Sequence, residues 1–311
     1  MILGRARGLL ARAGMEAILA ALCVYLLWRA PSFATPENLL TVLRSVSIQG
    51  VIAFGMTLVI IVGEIDLSVG AHASFAGCLL AWLTQRGMPI PLGGALTMVT
   101  GYAIGAFTGL IRARFLVPSF ITTLALLTIL KGAALTLTGG FPITSFPPWY
   151  AFVGSGYVAG IPFPAIVFVG TFLLFHVVMT RTRFGRAVYA VGGNPEAARL
   201  SGISASWVRT QALAITGVLS AVSGIMLASR INSGTPDAAV GWELDVIAAV
   251  IIGGTSLAGG VGTVWGTLVG VLFTGVIANG MTLLDIPIYT QYIVKGLLIF
   301  TAVLLNRARR V

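Results

Sequence analysis

Residues 185–203 read Gly-Arg-Ala-Val-Tyr-Ala-Val-Gly-Gly-Asn-Pro-Glu-Ala-Ala-Arg-Leu-Ser-Gly-Ile. The stretch lies between two long apolar runs and holds three of the chain's few charges, Arg186, Glu196 and Arg199, so it sits in water while its flanks do not. Its grammar spells a very short helix. Asn194 is a favoured N-cap, Pro195 suits the first helical position because it has no N–H to leave unpaired, and Gly202 can take the left-handed conformation past the end. Between those caps about two turns fit. Glu196 falls in the first turn and Arg199 in the last, each where the helix dipole favours it and at a spacing that lets them pair. So short a helix is marginal alone; clamping by its flanks, or a docked partner, has to hold it.

Those flanks set the fold class. With 57% hydrophobic and 9% charged residues and a mean hydropathy of +0.99, the chain lacks the polar surface to cover a soluble globule of 311 residues. An all-α polytopic membrane protein is expected. The net charge of +10 comes from small basic clusters between apolar runs, without aromatic interleaving, which excludes a nucleic-acid footprint. Cys23 and Cys78 lie in apolar segments with no metal-type spacing and read as small buried hydrophobes. Arg5, Arg7 and Arg12 ahead of an apolar stretch resemble a signal peptide, but no small-x-small cleavage site follows, so this is read as an uncleaved first span.

Cutting at charges, prolines and glycine clusters gives about ten spans: 14–29, 38–62, 67–85, 91–111, 119–138, 162–180, 206–229, 244–259, 262–284 and 288–305. The span 244–259 is short and reads as a candidate broken or re-entrant helix. With the N-terminus inside, the inner segments collect Arg5, Arg7, Arg12, Arg112, Arg114, Arg181, Arg183, Arg186, Arg199, Arg209, Arg307, Arg309 and Arg310. The outer ones hold only Arg29, Arg44, Arg86 and Arg230. Both termini and the 185–203 loop therefore fall on the cytoplasmic side. The segment 139–161, with Phe146-Pro147-Pro148-Trp149-Tyr150, reads as a periplasmic cap whose prolines exclude a continuous helix and whose aromatics suit the membrane interface. Gly101, Gly105 and Gly109, and Gly262, Gly266 and Gly270, form small-residue faces for close helix packing. Gly63-Glu-Ile-Asp-Leu-Ser-Val-Gly70 and Gly253-Gly-Thr-Ser-Leu-Ala-Gly-Gly260 match at both ends and at one leucine, as two pseudo-repeated halves with corresponding helix breaks would.

Several polar residues stand out against this background. Glu64 and Asp66, with Ser68, follow one apolar run and open the next; they read either as boundary carboxylates capping the third span or as a translocation-pathway site. Gln49, Asn279 and Gln291 either line a cavity suited to a neutral polyhydroxylated solute or hydrogen-bond between helices. Lys131 and Lys295 read as lysines snorkelling to the headgroups. His72 and His176 are isolated, so neither a metal site nor a catalytic residue is expected. No P-loop or dinucleotide fingerprint occurs; if the chain moves solute with ATP, another subunit hydrolyses it.

Three passages together resemble a known family: Gly63–Gly70, the 185–203 loop, and Glu243-Leu-Asp-Val-Ile-Ala-Ala-Val-Ile-Ile-Gly-Gly-Thr-Ser-Leu-Ala-Gly-Gly260. From about residue 36 to 305 the chain looks like the ribose-type permease subunits of bacterial sugar ABC importers, in the branched-chain amino acid/ribose permease superfamily. The resemblance implies a single permease domain over 1–311 with a type II importer-like architecture in the inner membrane. It implies as partners ABC ATP-binding subunits, separate or as one fused tandem, which bind the ATP and magnesium; this chain needs no cofactor. It also implies a second permease copy or paralogue and a periplasmic sugar-binding protein. Gly193, Asn194, Glu196, Ala197, Arg199 and Gly202 match the family's cytoplasmic coupling segment, which docks in a groove of the ATPase. Glu64 departs from the family pattern, which more often has a second glycine there. The competing classes are an ion-coupled secondary transporter or channel for a small polar solute, and a membrane scaffold.

Overall fold

The computed structural model describes residues 2–144 and 146–308, and the side chains of 14–144 and 146–304. The terminal arginines named above, Arg5, Arg7 and Arg12 and Arg307, Arg309 and Arg310, lie outside the described side chains. In chain order the helices are α1 (Ile2–Arg29), α2 (Pro36–Ile61), α3 (Val69–Gln85), α4 (Ile90–Phe115), α5 (Ser119–Thr138), α6 (Ala151–Ser155) and α7 (Phe163–Arg181). They continue with α8 (Arg183–Gly193), α9 (Pro195–Leu200), α10 (Ala205–Ile231), α11 (Trp242–Ile252), α12 (Val264–Leu283) and α13 (Ile288–Ala308). The protein is all-α apart from a two-stranded hairpin, Tyr157–Val158 with Ile161–Pro162.

Every stretch read as a span carries a helix, and 119–138 coincides with α5 at both ends. By length and apolarity six of the described helices can cross a bilayer: α2, α4, α5, α7, α10 and α12. The segment 244–259 is helical only to Ile252, as its glycines Gly253 and Gly254 lead one to expect. α2 and α10 are buried along most of their length, whereas α4, α5 and α7 turn Phe107, Leu124 and Leu173 outward, as lipid-facing helices do.

Glycine sets how closely these helices approach. Gly101, Gly105 and Gly109 of α4 meet Gly217, Leu213 and Thr210 of α10 with no space for a side chain, so the stripe is consumed inside the fold. Gly266 and Gly270 likewise press α12 onto Gly253 and Ala249 at α11; Gly262 precedes α12 and packs on Thr255 instead. α2 and α12 run antiparallel in contact along their length. Thr57 and Thr267 share a 2.6 Å hydrogen bond, Gly50 lies against Val271, Gly275 against Val46, and Asn38 and Asn279 exchange two amide hydrogen bonds of 3.1 and 2.8 Å.

The segment 139–161 is anchored rather than laid on a surface. Tyr150 is 1% exposed and its hydroxyl donates to Ile225 O at 2.6 Å, while Gly154 N donates to Ser229 Oγ at 2.8 Å, both on α10. Phe146 is buried beside Tyr150, so of the aromatic run only Trp149 faces outward; the interfacial placement expected for all of them is corrected by this inward packing.

Replacing Gly105 with leucine would force α4 off α10 and cost at least the ~1–3 kcal/mol of an overpacked core. The variant Gly132→Leu, at an α5 position where an added Cβ meets nothing within 4 Å, serves as control. Thermal unfolding in detergent is expected to fall for the first and hold for the second.

Candidate functional site

The polar stretch 185–203 falls in two helices, α8 and α9. Thr182 Oγ1 accepts from Gly185 N at 3.1 Å and starts α8, and Val188 and Val191, one turn apart, bury its apolar side. The reading of 185–193 as loop is corrected by that spacing. α9 then follows after the single residue Asn194, whose Oδ1 accepts from the amides of Glu196 and Ala197, both at 3.0 Å. At its far end Gly202 has φ +79°, its N–H reaches Arg199 O at 3.0 Å, and Ile203 N reaches Ala198 O at 2.9 Å, the paired closure of a glycine-terminated helix. Arg199 grips Glu196 through one guanidinium edge, Nε to Oε2 at 3.1 Å and Nη2 to Oε1 at 2.6 Å, on an exposed face.

Those hydrogen bonds hold the Glu196 carboxyl below its usual range and push Arg199 up. A carboxylate with a lowered folded pKa stabilises above its unfolded value and loses that contribution as pH falls through the lowered one. The pair therefore adds support to α9 at neutral pH, and that contribution is lost in acid while the caps remain.

α8 presses α9's base onto two helix breaks. Gly192 lies directly on the carbonyl of Ile61, the last residue of α2, with no room for a Cβ. The same carbonyl accepts from Gly260 N at 2.8 Å, and Tyr189 Oη donates to Gly262 O at 2.9 Å. The stretches 63–70 and 253–260, matched in sequence, are thus the breaks α2/α3 and α11/α12, and they meet under α8. The first break finds partners for its amides on α5, Ile65 N on Ser119 Oγ and Leu67 N on Thr123 Oγ1, both at 3.0 Å. Asp66 Oδ1 accepts from Ser68 N at 2.8 Å and Ser68 Oγ at 2.6 Å, an Asx turn opening α3. Glu64, 5% exposed, pairs with Arg112 of α4 at 3.0 Å and Arg209 of α10 at 3.2 Å.

At the other end of α2 and α12 lies a cavity of about 350 Å³ between α2, α11, α12 and α13. Gln49, Asn279 and Gln291 line it; Glu64, Asp66 and Ser68 do not. The six pathway candidates therefore divide into two separate groups. The cavity also contains Lys295, whose Nζ pairs with Asp245 Oδ2 at 2.9 Å, so Lys295 turns to a carboxylate in the cavity wall instead of snorkelling. Lys131 pairs with Asp237 at 3.1 Å, both well exposed. Asp245 is a cavity residue that sequence alone does not single out. Its signal was available in principle, because one acid and one base in separate apolar helices call for each other.

Residues 38–303 match the family described as branched-chain amino acid transport system / permease component. The chain belongs to this family. Within reach of this permease family, the ribose import permease protein of Bacillus subtilis (strain 168) is 44% identical over 281 residues, 90% of this chain and 87% of that one. The L-arabinose ABC transporter permease protein of Azospirillum brasilense is 36% identical over 98% of this chain and 91% of its own. The xylose transport system permease protein of Escherichia coli (strain K12) is 33% identical over 95% and 91%. No solved structure matches the chain significantly.

The variant Glu64→Leu leaves Arg112 and Arg209 without the carboxylate they share, Arg209 keeping its long bond to Val62 O, and unfolding is expected to ease by roughly 1–3 kcal/mol, reduced from a fully buried pair by their partial exposure. Adding Arg112→Met and Arg209→Met is expected to recover most of that loss in a thermal unfolding series.

Proposed function

We propose that the chain is the permease subunit of an ATP-driven sugar importer of the bacterial inner membrane, passing a monosaccharide or related polyol from a periplasmic binding protein to the cytoplasm by alternating access. The reading is carried by one observation: α9 is a doubly capped, exposed helix whose base, through α8, rests on the ends of α2 and α12. The sugars in the names of the three relatives support the solute class.

In this reading the chain crosses the membrane about ten times as one domain with both termini cytoplasmic, in two halves of type II importer architecture. The 139–161 segment caps the periplasmic side. α9 docks on a partner ATP-binding subunit that binds ATP and magnesium, and a second permease copy or paralogue completes the complex. Gly193, Asn194, Glu196, Ala197, Arg199 and Gly202 build the docking helix and its ends. Closure of the ATPase pair displaces α9; the glycine-tight seat of Gly192 on Ile61 carries that displacement into α2 and α12, whose far ends wall the cavity. A helix that frayed would dissipate the motion, so its caps matter more than its length.

Proline at Gly202 cannot adopt φ +79° and removes the amide that reaches Arg199 O. In proteoliposomes carrying the whole importer, Gly202→Pro and Glu196→Arg are expected to lower uptake of D-ribose, L-arabinose or D-xylose by roughly tenfold or more while membrane insertion stays normal. Undiminished uptake in both variants, or uptake driven by an ion gradient without the ATPase, counts against the reading.

A further inference from the structure

We infer that the cavity between α2, α11, α12 and α13 is a binding site for one neutral monosaccharide, built on Gln49 and the Asp245–Lys295 pair. This rests on the importer reading and adds the binding residues and the charge class of the solute.

Three features of the cavity carry the inference. Its volume of about 350 Å³ lies at the small end of ligand pockets, too little for an oligosaccharide chain. Its two charges, Asp245 and Lys295, stand 2.9 Å apart and cancel, and the other polar groups on its wall are neutral. An anion or cation would have to separate that pair; a neutral solute does not.

The third feature is the hydrogen-bonding capacity left over. Among the described residues Gln49 has no hydrogen-bond partner, although it is half-buried and faces the cavity. Lys295 commits one donor, to Asp245 Oδ2, which leaves the other Asp245 oxygen and further ammonium hydrogens for a ligand. Gln291 donates its amide to Ile286 O at 2.9 Å and keeps its carbonyl oxygen. Donors and acceptors are thus both available around one space, which suits sugar hydroxyls because each both donates and accepts. Val46, Ala249, Val271 and Leu298 supply apolar wall for the C–H faces of a ring. Asn279 is different: its amide is spent on Asn38, so it positions α2 against α12 and is not a ligand group.

The test uses the reconstituted importer with Cys23→Ala and Cys78→Ala, then Gln49→Cys, or Thr136→Cys on the exposed side of α5 as control. Alkylation by a small maleimide is followed with D-ribose, D-xylose, L-arabinose or L-leucine added. A pentose is expected to slow modification of Gln49→Cys severalfold and leave Thr136→Cys unaffected, while L-leucine does neither. In parallel, Asp245→Asn and Lys295→Met are each expected to reduce pentose uptake roughly tenfold, the loss that follows from removing a charged hydrogen-bond partner. The pair Asp245→Asn with Lys295→Gln, which keeps neutrality and hydrogen bonding, is expected to recover part of it. Protection by L-leucine but not by any pentose overturns the inference, as does modification indifferent to all four solutes in a complex that still imports a pentose. If the unmodified complex imports no pentose at all, it is the importer reading that falls.

Discussion

The carbonyl oxygen of Ile61 is the point on which three segments depend. As the last residue of α2 it would carry one of the unpaired acceptors every helix end has. Gly260 supplies the missing donor at 2.8 Å, and Gly192 closes over the same atom where no side chain fits. Because the contact is backbone on backbone, it resists rearrangement by side-chain motion. α8 is therefore keyed at once to the break after α2 and to the break before α12, and α9 stands outside on a rigid base. From that base the two helices run antiparallel, tied at Thr57 and Thr267, interlocked at Gly50 with Val271 and Gly275 with Val46, and bridged by Asn38 with Asn279. The same pair that starts under α8 ends as two walls of the cavity.

Charge is scarce in this chain, and three of its acids pair with bases at places the fold depends on. Glu64 joins the first break to α4 and α10, Asp245 joins α11 to α13, and Glu196 closes α9 on itself. These pairs differ in weight. The Glu196–Arg199 contact is exposed and screened by water, so it only tunes a helix held by its caps. Glu64 is buried, and breaking its pairing would strand two guanidinium groups between packed helices. It fastens the break to the α4–α10 block, which glycines hold at backbone contact.

Much of this was legible in the sequence because membrane burial makes the chain state its boundaries openly. α5 starts at Ser119 after a proline and ends before Gly139, and both limits could be read from residue type alone. The caps of α9 were equally local, since Asn194, Pro195 and Gly202 act on their own neighbours. α8 was hidden because its glycines read as loop, although Val188 and Val191 sit at helical spacing after Thr182. The site was legible only in part. Gln49, Asn279 and Gln291 stand out as amides in apolar runs, but nothing near Glu64 in the chain announces Arg112 or Arg209, and Asp245 lies fifty residues from Lys295. Partnership between distant helices is a property of packing, and only the fold reveals it.

The central claim is that α2 and α12 move as one body between α8 and the cavity. The Oγ1 atoms of Thr57 and Thr267, 2.6 Å apart, mark where a disulfide between Thr57→Cys and Thr267→Cys can bridge them. In a background with Cys23 and Cys78 replaced by alanine, solute uptake by the complete complex should be measured with the bridge oxidised and then reduced. One rigid body implies equal uptake in both states. Uptake that stops on oxidation and returns on reduction would show that the helices must slide past each other, and would contradict the account.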